Sequence, residues 1–181
     1  MGGPVVERAC VWDRLVRVLH WGLASLVLLN AWLLDGGDAP HRWAGYVVAA
    51  LVGVRLVWGL IGPQPARLAA LLPTPSRLRT GVAERGRIWR GHNPLGALMA
   101  LTLWALALAL GFTGWLMGTD AWWGDESLEN LHQTLSDALL ACAALHVAAV
   151  VAVSLRARVN LPLAMLTGCK ERRADSLPFR D

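Results

Sequence analysis

Histidine is the residue type in this chain whose chemistry is most specific. The sequence has 181 residues and five histidines, all within or at the ends of apolar stretches. Ionisable groups at such positions are expensive and usually functional. Neutral imidazole is a common metal ligand. Each histidine can therefore be interpreted either as a metal ligand or as a packed or interfacial side chain. The five are His20, His41, His92, His132 and His146.

Two of these histidines, His132 and His146, lie 14 residues apart. In an α-helix this spacing is nearly four full turns, so both side chains point to one face about 21 Å apart along the axis. They are too far apart to share one metal ion. Two haems, one toward each side of a membrane, suit the spacing, because helix bundles commonly hold cofactors on inward-facing side chains.

The elements that must position these histidines are four apolar stretches. Hydrophobic residues make up 55% of the chain and charged residues only 17%, against about a quarter charged in soluble domains. A bilayer core of about 30 Å needs about 20 helical residues, and irregular backbone cannot face lipid. The sequence therefore predicts an all-α, integral membrane four-helix bundle over residues 1–167 and a short polar tail over 168–181. The stretches cover about 15–34, 43–61, 94–118 and 131–155.

The distribution of arginine and lysine predicts the orientation. The N-terminal segment, the 63–91 loop and the tail are rich in these residues, whereas the 35–42 loop holds only Arg42 and the 118–130 loop holds none. By the positive-inside rule both termini are then cytoplasmic and the two short, acidic loops face outward. The same rule explains the loop arginines at 77–90 without nucleic-acid binding.

Depth in this topology predicts how the histidines pair. The first helix runs outward, so His20 lies toward the inner side, and His41 begins the second helix on the outer side. The fourth helix runs inward, which makes His132 outer and His146 inner. Depth therefore pairs His20 with His146 and His41 with His132. His92, before the third helix, is better explained as a cap or interfacial residue.

Small and charged residues near the histidines give weaker indications. Gly45 and Ser136 each lie one turn after a histidine, as Cys142 lies one turn before His146, and they leave space for a flat macrocycle; ordinary helix packing explains them equally well. Arg55 and Arg17 are candidates for haem propionates, as is Arg14, with snorkelling to the headgroups as the alternative. Asp137 is consistent with orienting a neighbour or lining a proton path, and the sequence does not decide between these.

Several other kinds of site are not supported. Cys10, Cys142 and Cys169 form no C-x-x-C motif, which excludes a zinc ribbon and a covalent c-type haem site. No G-x-G-x-x-G or phosphate-loop motif occurs. No residue is assigned a catalytic role.

Five segments carry a resemblance to a known family. They are V11-W-D-R-L-V-R-V-L-H-W21, H41-R-W-A-G-Y46, R55-L-V-W-G-L-I-G-P63, G91-H-N-P-L-G96 and L131-H with L145-H-V147. In this order they resemble the bacterial di-haem cytochrome b family that includes cytochrome b-561 and the cytochrome b subunit of nickel–iron hydrogenases. The resemblance implies haem ligation by His20, His41, His132 and His146. It also implies electron transfer between a quinone pool and a periplasmic or fused redox partner.

The expected function is therefore electron carriage by two bis-histidine haem b groups in a bacterial inner membrane, as part of a respiratory chain. The expected partners are lipid, quinone and a periplasmic c-type cytochrome or a dehydrogenase or hydrogenase subunit; a further copy of the chain is also open. Hydrogenase-type members are usually longer, which favours one of the other partners. Two alternatives remain: a self-contained oxidoreductase acting on superoxide or quinol, and a non-redox transporter or scaffold.

Overall fold

The computed structural model describes residues 6–72, 74–83 and 93–173. The prediction for His92 lies outside these residues. Nine helices and strands and one 3-10 turn are formed among them, numbered here in chain order. They are β1 Val6–Cys10, α1 Arg14–Trp32, α2 Ala39–Ile61, the 3-10 turn Gln64–Ala66, α3 Leu68–Leu71, α4 Pro75–Ala83, α5 Pro94–Met117, α6 Glu126–Ala157, α7 Leu161–Thr167 and β2 Cys169–Arg173.

Four of these helices, α1, α2, α5 and α6, are long and apolar enough to cross a membrane. They correspond to the four predicted stretches, and the predicted helical membrane architecture is confirmed. In none of the four apolar windows are more than 28% of the residues buried within the protein. The apolar side chains that are not buried need lipid around them, because in water they would form a large exposed hydrophobic surface.

Two helices begin earlier than the apolar pattern predicts. α6 begins at Glu126 and not near residue 131, because Asp125 Oδ1 accepts a hydrogen bond from the Leu128 amide at 2.8 Å and caps the helix. α2 begins at Ala39, with Pro40 in its first turn, where a proline costs nothing since that turn has unused N–H groups. Polar caps therefore extend both helices beyond their apolar runs.

The first of two compact units comprises Met1–Arg17, Trp58–Ala100 and Leu145–Asp181. In it, β1 and β2 pair antiparallel, with Cys10 opposite Cys169. These two cysteines form a disulfide. Val159 forms a small core with Ala9, Ala157 and Leu161. Neither the strand pair nor the disulfide was predicted, since residues 169–173 look like part of a polar tail in the sequence.

Charged side chains in this unit have specific partners. Asp13 caps α1 by accepting from the Val16 amide at 2.8 Å, and it also accepts from Trp58 Nε1 at 3.0 Å. Lys170 on β2 is 4% exposed, with Nζ 4.9 Å from the centre of the Trp12 ring. Burial lowers the pKa of Lys170 to about 8.

The second unit comprises Val18–Val57 and Leu101–Ala144. Its core contains Val48, Val52 and Ala107, which come from α2 and α5 and pack against partly buried residues that include Trp104. These two helices approach closely at Gly111, where an added Cβ would lie 2.9 Å from Ala49 Cβ. Glycine is needed there so that the helices can pack at this distance.

Candidate functional site

The second unit contains a cavity of about 440 Å³ lined by residues of α1, α2, α5, α6 and the loops between them. This volume lies within the range of about 300–1,000 Å³ that is typical of ligand sites. His41 of α2 and His132 of α6 both line it. The structure thus brings together the two histidines that were predicted to form the outer pair.

The distance between these two histidines fits ligation of one metal from opposite sides. Their ring centroids are 6.4 Å apart, and the ring planes are inclined at 61°. Two imidazoles bound on opposite sides of one metal, with bonds of about 2 Å, have centroids about 6.3 Å apart. The rings are therefore already separated by the space that an iron atom between them would need.

The described residues do not favour a bare metal ion at this cavity. No group of three or more histidine, cysteine, aspartate or glutamate side chains gathers to hold an ion in the part of the chain that the structure describes. Haem iron needs only two protein ligands, because the porphyrin supplies the other four nitrogens. Two histidines at this separation therefore fit haem better than an ion coordinated by protein alone.

Small residues provide room for a flat ring beside the histidines. Gly45 and Ser136 line the cavity, as do Gly111, Gly114 and Gly118. At Gly114 an added Cβ would lie 3.4 Å from His132 Cε1. The placement of Gly45 and Ser136 agrees with the space predicted for a macrocycle, and α5 adds glycines whose role the sequence does not indicate.

The cavity is also lined by polar residues that were not predicted from the sequence. Arg42 lines it, although its place in the sequence predicts only a charge in a loop. Asn30 lines it too, and its Oδ1 atom is buried and has no hydrogen-bond partner within residues 6–72, 74–83 and 93–173. A buried acceptor of this kind is costly unless something donates to it, so the cavity suits a ligand with polar as well as apolar parts. The position of Arg42 next to His41 in the sequence is the feature from which its place at the cavity could have been predicted.

The hydroxyl of Thr113 lies 2.7 Å from His132 Nδ1. Thr113 belongs to α5 and is 5% exposed. Its Oγ1 atom also lies 3.0 Å from the carbonyl oxygen of Ala109. The span for which no ligand was predicted therefore contacts a candidate ligand through a buried polar side chain.

Two of the three arginines predicted to meet propionates have other contacts. Arg55 is 4% exposed, and its guanidinium lies 5.0 Å from the centre of the Trp104 ring, so it does not snorkel outward. Arg17 donates from a terminal guanidinium nitrogen to the carbonyl oxygen of Leu166. Neither belongs to the lining of the His41–His132 cavity, and their propionate roles stay predictions.

The two histidines of the predicted inner pair are placed in different units. His20 lies on α1 in the second unit, with its ring edge-on to that of Trp21. His146 lies on α6 in the first unit and is half-buried. Their pairing stays a prediction. Asp137 is exposed and accepts a hydrogen bond from Gln133 Nε2 at 3.1 Å.

Comparison with known proteins gives one match that covers most of the chain. The model of the family described as prokaryotic cytochrome b561 matches residues 11–168. No curated protein and no solved structure matches. The matched range contains all four membrane-spanning helices and all five histidines. The chain therefore belongs to the prokaryotic cytochrome b561 family of multi-pass, haem b-binding membrane proteins.

Proposed function

We propose that this chain is a di-haem b-type cytochrome of the bacterial inner membrane, which carries single electrons between the quinone pool and a periplasmic redox partner. The observation that carries the proposal is that the rings of His41 and His132 have their centroids 6.4 Å apart and line one cavity. These two side chains would hold the outer haem. Arg42 supplies a cation beside it for a propionate.

The inner haem is proposed between His20 and His146. Its support is the 14-residue spacing of His132 and His146 on α6, together with the depth of His20 in the first turns of α1. Arg55 and Arg17 are the proposed propionate partners on this side.

The protein's own residues determine what the cofactors can do. Bound haem b supplies an iron that gains and loses one electron. Two histidine ligands per iron would leave no open position, which would favour electron carriage over oxygen binding. The helices contribute apolar side chains such as Val27, Val48 and Leu139 to the lining of the site, and the apolar surroundings of a metal site help to set its potential.

The acidic outer loops support a basic periplasmic partner. Asp35, Asp38 and Asp120 are exposed in the two short loops, which the positive-inside rule places outside. A basic c-type cytochrome is the partner that this charge favours; a dehydrogenase or hydrogenase subunit is the alternative. Charge-steered docking slows as salt rises, so electron transfer to the partner should be slower at high ionic strength. Salt-independent transfer would contradict this assignment.

The test of the proposed function is haem counting on the protein purified from membranes. We expect two haems per chain and a reduced-minus-oxidised spectrum of the b type. His132→Ala and His146→Ala should each lose one haem, since each removes a ligand of a different iron. Asp137→Asn is the matched control on the same helix and should keep both. A colourless protein, or loss of both haems in either single histidine variant with the fold intact, would contradict the proposal.

A further inference from the structure

Thr113 has the geometry of a residue that orients a metal ligand. Its side chain is buried on α5, with Oγ1 2.7 Å from His132 Nδ1. The same oxygen lies 3.0 Å from the Ala109 carbonyl oxygen and 3.2 Å from that of Leu110. One hydroxyl therefore meets two carbonyl oxygens and one ring nitrogen.

The proton inventory of these groups decides which of them donates. A hydroxyl has one proton and two lone pairs, whereas a carbonyl oxygen can only accept. When the Thr113 proton is directed at the Ala109 and Leu110 carbonyls, Oγ1 accepts from the Nδ1–H group of His132. A neutral imidazole with its proton on Nδ1 has its lone pair on Nε2, which is the form that binds a metal.

We infer that Thr113 is a positioning residue for His132, whose hydroxyl fixes the tautomer, the ring orientation and the donor strength of this outer haem ligand. The inference rests on the proposed function and deepens it. Partners of this kind raise the basicity of a ligating histidine and hold its ring in place. The hydrogen bond from Thr113 to the backbone polarises its oxygen and makes it a better acceptor.

The opposing ligand lacks such a partner among the described residues. His41 Nδ1 is buried and has no hydrogen bond there. The adjacent Gly114 also lies against His132, since a Cβ added there would be 3.4 Å from Cε1 of the ring, at van der Waals contact. Removing the Thr113 hydroxyl should therefore affect one ligand of one haem and leave the other haem as an internal reference.

The decisive variant is Thr113→Val, which keeps the shape of the side chain and removes the acceptor. A less basic histidine stabilises ferric iron less, so the midpoint potential of the outer haem should rise. Haem retention at that site, measured by transfer to added apomyoglobin, should weaken by about 10- to 100-fold. Thr113→Ser keeps a hydroxyl and should restore both properties.

The matched control is Thr134→Val on α6. Thr134 is exposed, and its Oγ1 donates to the Asn130 carbonyl at 2.8 Å, with no histidine contact among the residues that the structure describes. The same substitution there removes a similar backbone contact. Its potentials and haem retention should equal those of the wild type. A change of the same size in this control would assign the Thr113 effect to helix distortion.

The experiment separates failure of the inference from failure of the proposed function. If wild-type protein binds two haems and His132→Ala loses one, an unchanged potential and haem retention in Thr113→Val would overturn the inference alone. If His132→Ala keeps both haems, the proposed ligand itself is wrong. A potential that rises in Thr113→Val and returns in Thr113→Ser supports the inference.

Discussion

Trp58 donates its indole N–H to Asp13 Oδ2 at 3.0 Å, while Asp13 Oδ1 accepts from the Val16 amide at 2.8 Å. One carboxylate thus caps the first turn of α1 and holds the last turns of α2. The two residues are 45 positions apart in the chain and belong to the same unit. A break in this contact would affect two membrane helices at once.

Replacing either Asp13 or Trp58 should lower the free energy of unfolding, and both variants should lose the contribution of the hydrogen bond between them. Asp13→Ala removes the cap, which is worth about 1 kcal/mol, and a hydrogen bond to a charged group, worth about 1.5–3 kcal/mol. Trp58→Phe removes only the second contribution. Thermal unfolding in detergent of both single variants and the double variant would measure the coupling. Fully additive losses would show that the two side chains do not interact.

Gly111 should tolerate alanine poorly although alanine favours helices. An added Cβ would lie 2.9 Å from Ala49 Cβ, and neither atom can rotate away. We expect a loss of about 2–3 kcal/mol from overpacking, toward the upper end of the usual range, which exceeds the gain of about 1 kcal/mol in helix propensity. Thermal unfolding checks this, with Gly53→Ala as the control because nothing lies within 4 Å of an added Cβ there. Equal stability of the two variants would contradict the packing argument.

Lys170 should make the stability depend on pH in the alkaline range. Burial lowers its folded pKa from 10.5 to about 8, so between these values the unfolded chain binds more protons and stability rises with pH. The penalty, of order 3 kcal/mol, is fully present below pH 8. Lys170→Met should therefore be more stabilising at pH 7 than at pH 10. Unfolding of both proteins across this range would reveal the trend, and a constant difference would contradict it.

The state of Cys10 and Cys169 should report the orientation of the membrane helices. Disulfides persist in oxidising compartments and are rare in the cytoplasm, whereas the arginine distribution predicts cytoplasmic termini. Under the proposed orientation we expect the pair to be reduced in growing cells and oxidised after purification.

Maleimide labelling of acid-quenched, denatured cells provides this measurement. The chain has three cysteines, and only Cys142 stays free when the disulfide is formed. Three labels without reductant would support cytoplasmic termini. One label would place the strand pair on the outer side and overturn the orientation. The Cys142→Ser variant, which lowers each count by one, identifies the bands.

The membrane helices and the His41–His132 pair could be predicted because their signals are local or follow from depth. Apolar runs longer than a bilayer is thick leave few alternatives to helices. Because successive helices cross the membrane in opposite directions, the sequence position of each histidine determines its depth. Histidines at the same depth can then pair. The helix ends were less predictable, since Asp125 and Pro40 extend helices through polar residues that carry no apolar periodicity.

The contacts that surround the candidate site could not be predicted in the same way. Thr113 is one hydroxyl in an apolar run, and only the approach of α5 to α6 places it beside His132. The pairing of Cys10 with Cys169 depends on strands at opposite ends of the chain, and spacing in the sequence does not indicate it. Long-range proximity of this kind appears only once the helices are packed.

The Cys10–Cys169 bond joins residues 159 positions apart, so in the oxidised protein all four membrane spans lie on one covalent circle. A protease that cuts any loop between residues 11 and 168 would open this circle without releasing a fragment until reductant is added. The same closure means that the chain could be opened at another loop, with new ends between α5 and α6, and still connect every span in the same cyclic order. In the oxidised protein, the four membrane helices are therefore connected in a cyclic order, and the first and last of them are covalently linked through the disulfide.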